Sequence, residues 1–447
     1  MFAKTLCKVR GIAFWSLDWI KGSDIRKAYK NVKKYDCMDS CSDELISYQK
    51  EALKRLISHA KATTKYYGSI ESFDIFKHPV INKNIMREKQ EDFLSDRYDK
   101  NKLITMSTSG STGTPFVCYQ NRGKKKRVNA EVIYFSEKAR YKLGENLIYL
   151  RVLIEKNKKP KLKQWIQNET LIDISHLNDE HIRKVLFDIE KISSYNGSVI
   201  LAYASTYDAL KDYTRRKGTS EIGKSKIRSV ISSSEMLFEQ TRSAMSESFN
   251  CRCFSRYSNQ ENGVLGQDDP DNPGTFILNE PHYFFEILKI ETDEPAEEGE
   301  VGRIVVTDLY NYAMPMIRYD TGDIGAFTYV TKDGVSKKAI TNFGGRKVDA
   351  VFDINGNRLS PHFVTNTFWS FPQIRQFQFI QQGRNEYIVK INAGSEFAGE
   401  KDVEKALKEL LGSNAIISIE RVEEIPVMSS GKRRYIINKV DWREQSH

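Results

Sequence analysis

Six cysteines are spread over 447 residues, and none form a CxxC pair or a Cys/His set at zinc-ligand spacing. No zinc site is expected from that spacing, and reduced thiols in a cytoplasmic protein are the expectation. Cys251 and Cys253 alternate along a strand-like stretch, so their side chains share a face. Burial as small apolar groups is expected there rather than a metal pair. Long apolar runs are also missing. Residues 11–20, which include Trp15 and Trp19, are interrupted by Asp18, lack a small-residue cleavage site and are too short to span a bilayer. An interfacial or core-packing segment is expected, with peripheral membrane contact as one use of it. The sequence contains no Gly-x-Ser-x-Gly elbow, His-Glu-x-x-His helix, Gly-x-Gly-x-x-Gly fingerprint, internal repeat or long low-complexity tract.

What is present is globular: 40% apolar and 29% charged residues, with a net charge of +10. The basic balance, with short runs at Lys124–Arg127 and Lys156–Lys163, suits a solvated surface or anionic partners such as nucleotides, coenzyme A or an acidic membrane. No RNA- or DNA-binding motif accompanies it, so nucleic acid is not expected. The length calls for two domains. Apolar spacing predicts helices over 42–60, 130–142, 180–192 and 207–213, and strands over 146–154, 199–202 and 227–231. This alternation argues for a layered α/β domain. Strand candidates follow at 283–290 and 303–309. A boundary is expected near Gly344-Gly345, separating a large domain, 1–344, from a small α+β domain, 345–447. The small one holds a hairpin (374–380 with 387–391), an amphipathic helix through Val403, Leu407 and Leu411 capped by Gly412, and a final strand at 415–419.

Gly218–Ser225 fits the Gly-x-x-x-x-Gly-Lys-Ser pattern of a nucleotide-binding P-loop. That motif works after a strand and before a helix, where the helix N-terminus faces the phosphate. Here a helix is expected before it and a strand after it. A P-loop NTPase is kept only as an alternative of another class.

The more informative loop is Thr105–Pro115, a run of hydroxyls and glycines between two strand-like stretches. Its amides and hydroxyls can converge on a phosphate. A solvated linker would look similar, so the loop alone does not decide. Further signals follow in order: Ser232-Ser233-Ser234-Glu235 after one strand, Tyr257-Ser-Asn-Gln-Glu261 after another, and Tyr319-Asp-Thr-Gly-Asp323 in a turn beyond Arg318. Gly345-Arg346 comes next, ahead of Asp349, and Ser430-Gly431-Lys432 lies near the end.

This set resembles the adenylate-forming superfamily of acyl- and aryl-CoA ligases. It is most similar to the phenylacetate–CoA ligase-like branch and its relatives from capsule and surface-polysaccharide clusters. Tyr48–Ala60, Lys65–Tyr67 and Phe76–Pro79 with Ile81–Lys83, all within a family-specific helical lead-in over 1–100, and Gly299–Thr307 add to the likeness. The resemblance implies a multi-sheet α/β large domain and a mobile small one. It also implies ATP and Mg²⁺, a small carboxylic acid as substrate, and CoA or an amine or hydroxyl as acceptor.

Roles carry over position by position. Ser107, Thr108, Ser109, Gly110, Ser111, Thr112 and Gly113 would hold the β- and γ-phosphates, with Thr112 also near the metal. Ser234, Glu235 and Tyr257 would form the adenine site. Asp323 and Arg346 would meet ribose or phosphate. Glu261 would bind Mg²⁺, Asp349 would mark the hinge, and Lys432 would be the catalytic lysine. The chain departs from the pattern at Ser258 and Gln260, which replace a glycine and a threonine, and at Ser233 and Ser234, where small glycines are usual.

Overall fold

The computed structural model describes residues 2–108, 116–153, 158–175, 177–346, 351–356, 358–359, 364, 367–368, 370–371, 373–426 and 435–440. The chain divides into two compact units, Met1–Thr321 with Gly325–Phe343, and Gly322–Ile324 with Gly344–His447.

The first unit opens with helices Phe2–Ile20, Asp24–Asp36 and Asp43–Thr63. The third begins with Asp43 and Glu44, which favour the positive end of a helix dipole. It buries Leu45, Ala52, Leu56, Ile57 and Ala60 on one stripe. Several of these share a core with Phe116, Cys118, Met314, Met316 and Tyr319, so the lead-in is packed against the site-bearing segments. Removing one such side chain, as in Leu56→Ala, typically costs about 2–5 kcal/mol.

Strands β1 (Ile104–Thr108) and β2 (Phe116–Gln120) form an antiparallel pair, with Thr108 opposite Phe116. The main sheet is built from β3 (Asn146–Arg151), β4 (Glu169–Asp173), β5 (Ser198–Tyr203), β6 (Ile227–Ser233), β7 (Arg252–Asn259), β8 (Gly263–Asp269) and β9 (Asn272–Leu278). It continues through β10 (Tyr283–Leu288), β11 (Gly302–Asp308), β12 (Tyr319–Lys332) and β13 (Val335–Arg346). These eleven strands lie in the order β10-β11-β12-β13-β9-β8-β7-β6-β5-β3-β4. From β4 through β7 the neighbours are parallel, and at β7–β8 the pairing turns antiparallel. Helices Asp179–Ser193, Ala204–Lys217 and Glu239–Phe249 cover one face. Val199, Ile231 and Phe254 belong to a separate core with Ala139. With both faces covered, the parallel strands read as near-continuous apolar runs.

The helix expected at 130–142 is Arg122–Lys138. The side chain of Asn121 accepts from the Lys124 amide and starts it early. The basic run Lys124–Arg127, read as solvated surface, therefore lies on this helix, and Lys124 is buried. Gly218–Ser225 joins helix Ala204–Lys217 to β6 through a short 3₁₀ turn, Ser220–Ile222. No helix follows it that could face a phosphate.

The second unit holds β14 (Val351–Phe352) and β15 (Arg358–Leu359) as a small antiparallel pair. It also holds β16 (Ile374–Gln381), β17 (Glu386–Ala393), β18 (Ile416–Arg421) and β19 (Ile436–Asn438), ordered β18-β17-β16-β19. Helix Glu400–Leu411 buries Val403, Leu407 and Leu411. Gly412 closes it with φ of 110°, where an added Cβ would lie 2.5 Å from Ile354 Cδ1. The strand at 415–419 is not the last. The short β19 runs parallel to β16, with too few residues to show a period.

Candidate active site

Glu261 sits on the turn between β7 and β8. Asn259 Oδ1 accepts from the Asn262 amide at 2.8 Å and shapes that turn. Gln120, the last residue of β2, donates from Nε2 to the Glu261 carbonyl at 2.9 Å. The strand leaving the Ser/Gly/Thr loop is thus bound to the backbone of the candidate metal ligand.

The Glu261 carboxylate is only 1% exposed, and burying it uncompensated would be costly. Lys83 Nζ lies 2.6 Å from its Oε1, and the Tyr319 hydroxyl donates to the same oxygen at 3.2 Å. Lys83 opens helix Lys83–Glu88, capped by the side chain of Asn82. Ile81 is hydrogen-bonded to the chain around Tyr319, through Ile81 N to Arg318 O and Asp320 N to Ile81 O. Segments far apart in sequence are therefore joined by backbone hydrogen bonds at one carboxylate. Cys118 on β2 is buried there, and burial pushes its thiol far up, so it is a neutral packing group.

A second buried network supports the same turn. Lys124 Nζ is 2.8 Å from Asp308 Oδ2, 4.0 Å from Glu131 Oε1, and donates to the Tyr283 hydroxyl at 2.9 Å. The Tyr283 hydroxyl is 2.8 Å from the Asn262 carbonyl, and Glu131 Oε2 accepts from the Val264 amide at 3.0 Å. Gly263, at φ 134°, allows this approach: a Cβ there would meet Glu131 Oε2 at 2.5 Å and the Tyr283 hydroxyl at 2.8 Å. Gly263→Ala is expected to cost about 2–3 kcal/mol from strain and overpacking. Chemical denaturation of the two proteins measures it, and an unchanged midpoint would refute the close packing.

His282 Nδ1 lies 2.6 Å from Glu131 Oε1, while Arg127 Nη1 faces Nε2 at 3.3 Å. The arginine can only donate, so Nε2 accepts and Nδ1 carries the proton given to Glu131. Burial holds the imidazole below its usual 6.5, against the raising effect of Glu131. Burial raises Glu131, but Lys124, His282 and the Val264 amide outweigh it, and its carboxyl sits below 4.5. Both groups bind fewer protons folded than unfolded. Their stabilisation is present above about pH 6.5 for the histidine and 4.5 for the glutamate, and is lost as pH falls. The melting temperature is expected to fall from pH 7 to pH 5. A His282→Gln variant should fall less steeply over that interval, and parallel slopes would remove the histidine from the effect.

The other sequence-predicted residues are placed as follows. Ser107 and Thr108 end β1. Ser109, Gly110, Ser111, Thr112, Gly113, Asp349 and Lys432 lie outside the described residues. Glu235 follows β6, and its Oε2 accepts from the Ser205 amide at 2.8 Å, at the start of helix Ala204–Lys217. It thus ties together the carboxyl-end loops of β5 and β6, where ligands of open α/β sheets bind. Ser234 adopts φ of 70°, a left-handed conformation in which glycine is easier. Ser233 Oγ lies 3.3 Å from Ser258 Oγ, so two departures from the usual glycine pattern meet in space. Tyr257 is 5% exposed, its ring clustered with those of Phe343 and Phe276 and its hydroxyl 3.3 Å from Thr321 Oγ1. Asp323 on β12 and Arg346 at the end of β13 fall with the second unit. Cys253 is buried in the main core, with Cys251 packed beside it.

Sequence reasoning gave no role to Lys83, Gln120 or the Lys124–Glu131–His282–Tyr283 network. For Lys83 a signal existed, since Ile81–Lys83 is part of the branch likeness.

The fold is that of the adenylate-forming ligases. It matches 2-hydroxyisobutyryl-CoA ligase, solved in the postadenylation state with 2-HIB-AMP, at a TM-score of 0.70 and 13% identity, over 91% of each chain. ATP-bound MatB from Rhodopseudomonas palustris matches at a TM-score of 0.56 and 16% identity, over 76% of this chain and 68% of that one. By sequence the chain is similar to the phenylacetate–CoA ligase-like branch: residues 351–439 match the CapK C-terminal domain. Protein CapK of Staphylococcus aureus is 23% identical over 98% of this chain and 97% of its own length. Phenylacetate-coenzyme A ligase of Thermus thermophilus is 30% identical over 141 residues, 31% of each protein.

Proposed function

We propose that the chain is an ATP-dependent ligase that joins a small carboxylic acid to AMP, releasing pyrophosphate, and then passes the acyl group to coenzyme A. The observation that carries this reading is the buried Glu261 carboxylate, bound through its own backbone to the strand that leaves the Ser107–Gly113 loop. Among the described residues no group of three or more acidic, histidine or cysteine side chains could hold a metal by itself. A single carboxylate with phosphate oxygens and water fits Mg²⁺, which seldom uses an all-protein cage. Glu261, with Thr112, would hold it. Mg²⁺ bound there neutralises charge between the carboxylate nucleophile and the triphosphate.

The chain's own residues do the rest. Tyr319 orients the Glu261 carboxylate, and Lys83 balances its charge until a cation does. Lys432 brings a point charge to the reacting groups. Asp323 and Arg346 serve the ribose and phosphates, Asp349 the hinge, and Ser234, Glu235 and Tyr257 the adenine side. The paired hydroxyls of Ser233 and Ser258 narrow the space that glycines would leave. The likeness to CapK supports a role in capsule or surface-polysaccharide assembly, with the enzyme working in the cytoplasm. An acceptor other than CoA, an amine or hydroxyl on a sugar or carrier, is the variant of this reading that fits such assembly.

The deciding measurement is ATP–pyrophosphate exchange with a panel of carboxylic acids, followed by addition of CoA or amines to the acid that responds. Acid-dependent exchange establishes adenylation. Its absence, with phosphate release that fails in Lys224→Ala, would instead revive the P-loop reading.

A further inference from the structure

Helix Phe2–Ile20 turns its apolar stripe away from the protein. Its inner side is fixed by three contacts. Gly11 lies against the chain at Leu143, where a Cβ would meet the Leu143 carbonyl oxygen at 2.9 Å. Trp15 packs 5.6 Å from Tyr29 and under the Arg26 guanidinium. Asp18 accepts from the Ile25 and Arg26 amides at 3.1 and 2.9 Å. With that side committed, Val9, Ile12, Trp19 and Ile20 face outward, and Trp19 and Ile20 are 70% and 71% exposed. Trp15 belongs to the inner side.

A second helix, Lys161–Gln167, repeats the arrangement. Gln164 points inward, accepting from the Leu171 amide and donating to the Lys159 carbonyl. Leu162, Trp165 and Ile166 are left exposed. The two faces adjoin: the Arg10 guanidinium lies 5.2 Å from the Trp165 ring, and Asn168 Nδ2 contacts Cys7 Sγ at 3.7 Å. Together they make one apolar patch of a kind soluble proteins seldom leave uncovered.

Charge identifies the occupant. Among the residues of both helices the one acid is Asp18, which is buried, while Lys8, Arg10, Lys161 and Lys163 lie among or beside the apolar side chains. A second copy of the chain on a two-fold axis would bring this basic face against itself. An anionic bilayer supplies the opposite charge and an apolar layer beneath it, and tryptophan favours the boundary between the two. No helix among the described residues is long and apolar enough to cross a membrane, which fits a helix lying in the interface.

We propose that helices Phe2–Ile20 and Lys161–Gln167 form a single docking surface for an anionic lipid bilayer. The surface uses none of the residues assigned to adenylation, so it stands or falls separately from that reading.

The test is flotation of the full chain with phosphatidylcholine vesicles, with and without 30 mol% phosphatidylglycerol, at low and high salt; that composition is chosen at roughly the anionic content that gives basic surfaces measurable affinity. Binding to the anionic vesicles alone, weakened by salt, is expected. Trp19→Ser with Ile20→Ser, and separately Leu162→Ser with Trp165→Ser, should each weaken binding by about tenfold or more. Both variants should keep wild-type ATP–pyrophosphate exchange, which shows that they fold. Unchanged binding in the second pair would overturn the composite surface, as would equal binding to neutral vesicles. Concentration-dependent dimerisation abolished by the same substitutions, without vesicle binding, would assign the patch to self-association and overturn the proposal as well.

Discussion

Glu261→Gln lowers acid-dependent ATP–pyrophosphate exchange by about 100- to 1000-fold, the usual size of losing one electrostatic contact to a transition state. The substitution keeps the shape of the side chain and removes its charge. The amide cannot hold a divalent cation against the triphosphate, and the Lys83 ammonium loses the carboxylate it meets at 2.6 Å. Lys83 is 31% exposed and can turn to water, so the loss of stability should stay small. A collapse of activity without a collapse of the melting temperature is the expected pair of results. Lys432→Ala should give a loss of the same order, about 100- to 1000-fold, because it removes the opposite charge from the same reaction. Exchange retained in Glu261→Gln would end the assignment of that residue to the metal.

Lys124→Met acts on stability instead. The lysine is buried between the carboxylates of Asp308 and Glu131, and the methionine keeps most of its stem. Breaking a buried ion pair from one side costs about 3–5 kcal/mol, since the remaining charge has no partner. The pH dependence carries a signature. Glu131 loses the cation that holds it below 4.5, and burial then raises it. A raised carboxyl is penalised at neutral pH and relieved as pH falls and the group protonates. The variant should therefore recover part of its deficit at pH 5, where the wild-type protein is losing stability. Denaturant midpoints at pH 5 and 7.5 read this directly. A deficit that is equal at both values would mean that the lysine acts through packing rather than charge.

The two kinds of outcome follow from what a sequence displays. Helix Asp179–Ser193 and strand β5 were legible because each shows one face or one short run of apolar residues, and its period needs no partner to be seen. The start of helix Arg122–Lys138 was not. It depends on the Asn121 cap and on burial of a lysine, and a basic run looks the same in sequence whether it meets water or two buried carboxylates. Strand β19 was missed because three residues show no alternation. At the candidate site, Glu261 was named only through the family likeness of Tyr257–Glu261, and the structure shows its carboxylate buried beside Lys83. Lys83 was readable only as part of a likeness. Its contact with Glu261 is made by the Ile81–Tyr319 backbone bridge, a long-range pairing that no local pattern encodes. Trp15 and Trp19 read alike in sequence, and only the packing of Gly11 and Asp18 separates the inward ring from the outward one.

The bridge between Ile81 and Tyr319 also bears on biosynthesis. The segment carrying Lys83 leaves the ribosome long before its partner exists, and the carboxylate it will meet emerges between the two. Until Tyr319 follows, the helix Lys83–Glu88 has no strand edge to hold it, and the core that Tyr67, Ile81 and Phe93 share with residues 309–319 is incomplete. Contacts of such sequence separation form late and leave a nascent chain open to misassembly. The candidate site is therefore among the last parts to be completed as the protein is made, and a chain stalled before residue 309 would hold its first helices with their shared core unfinished.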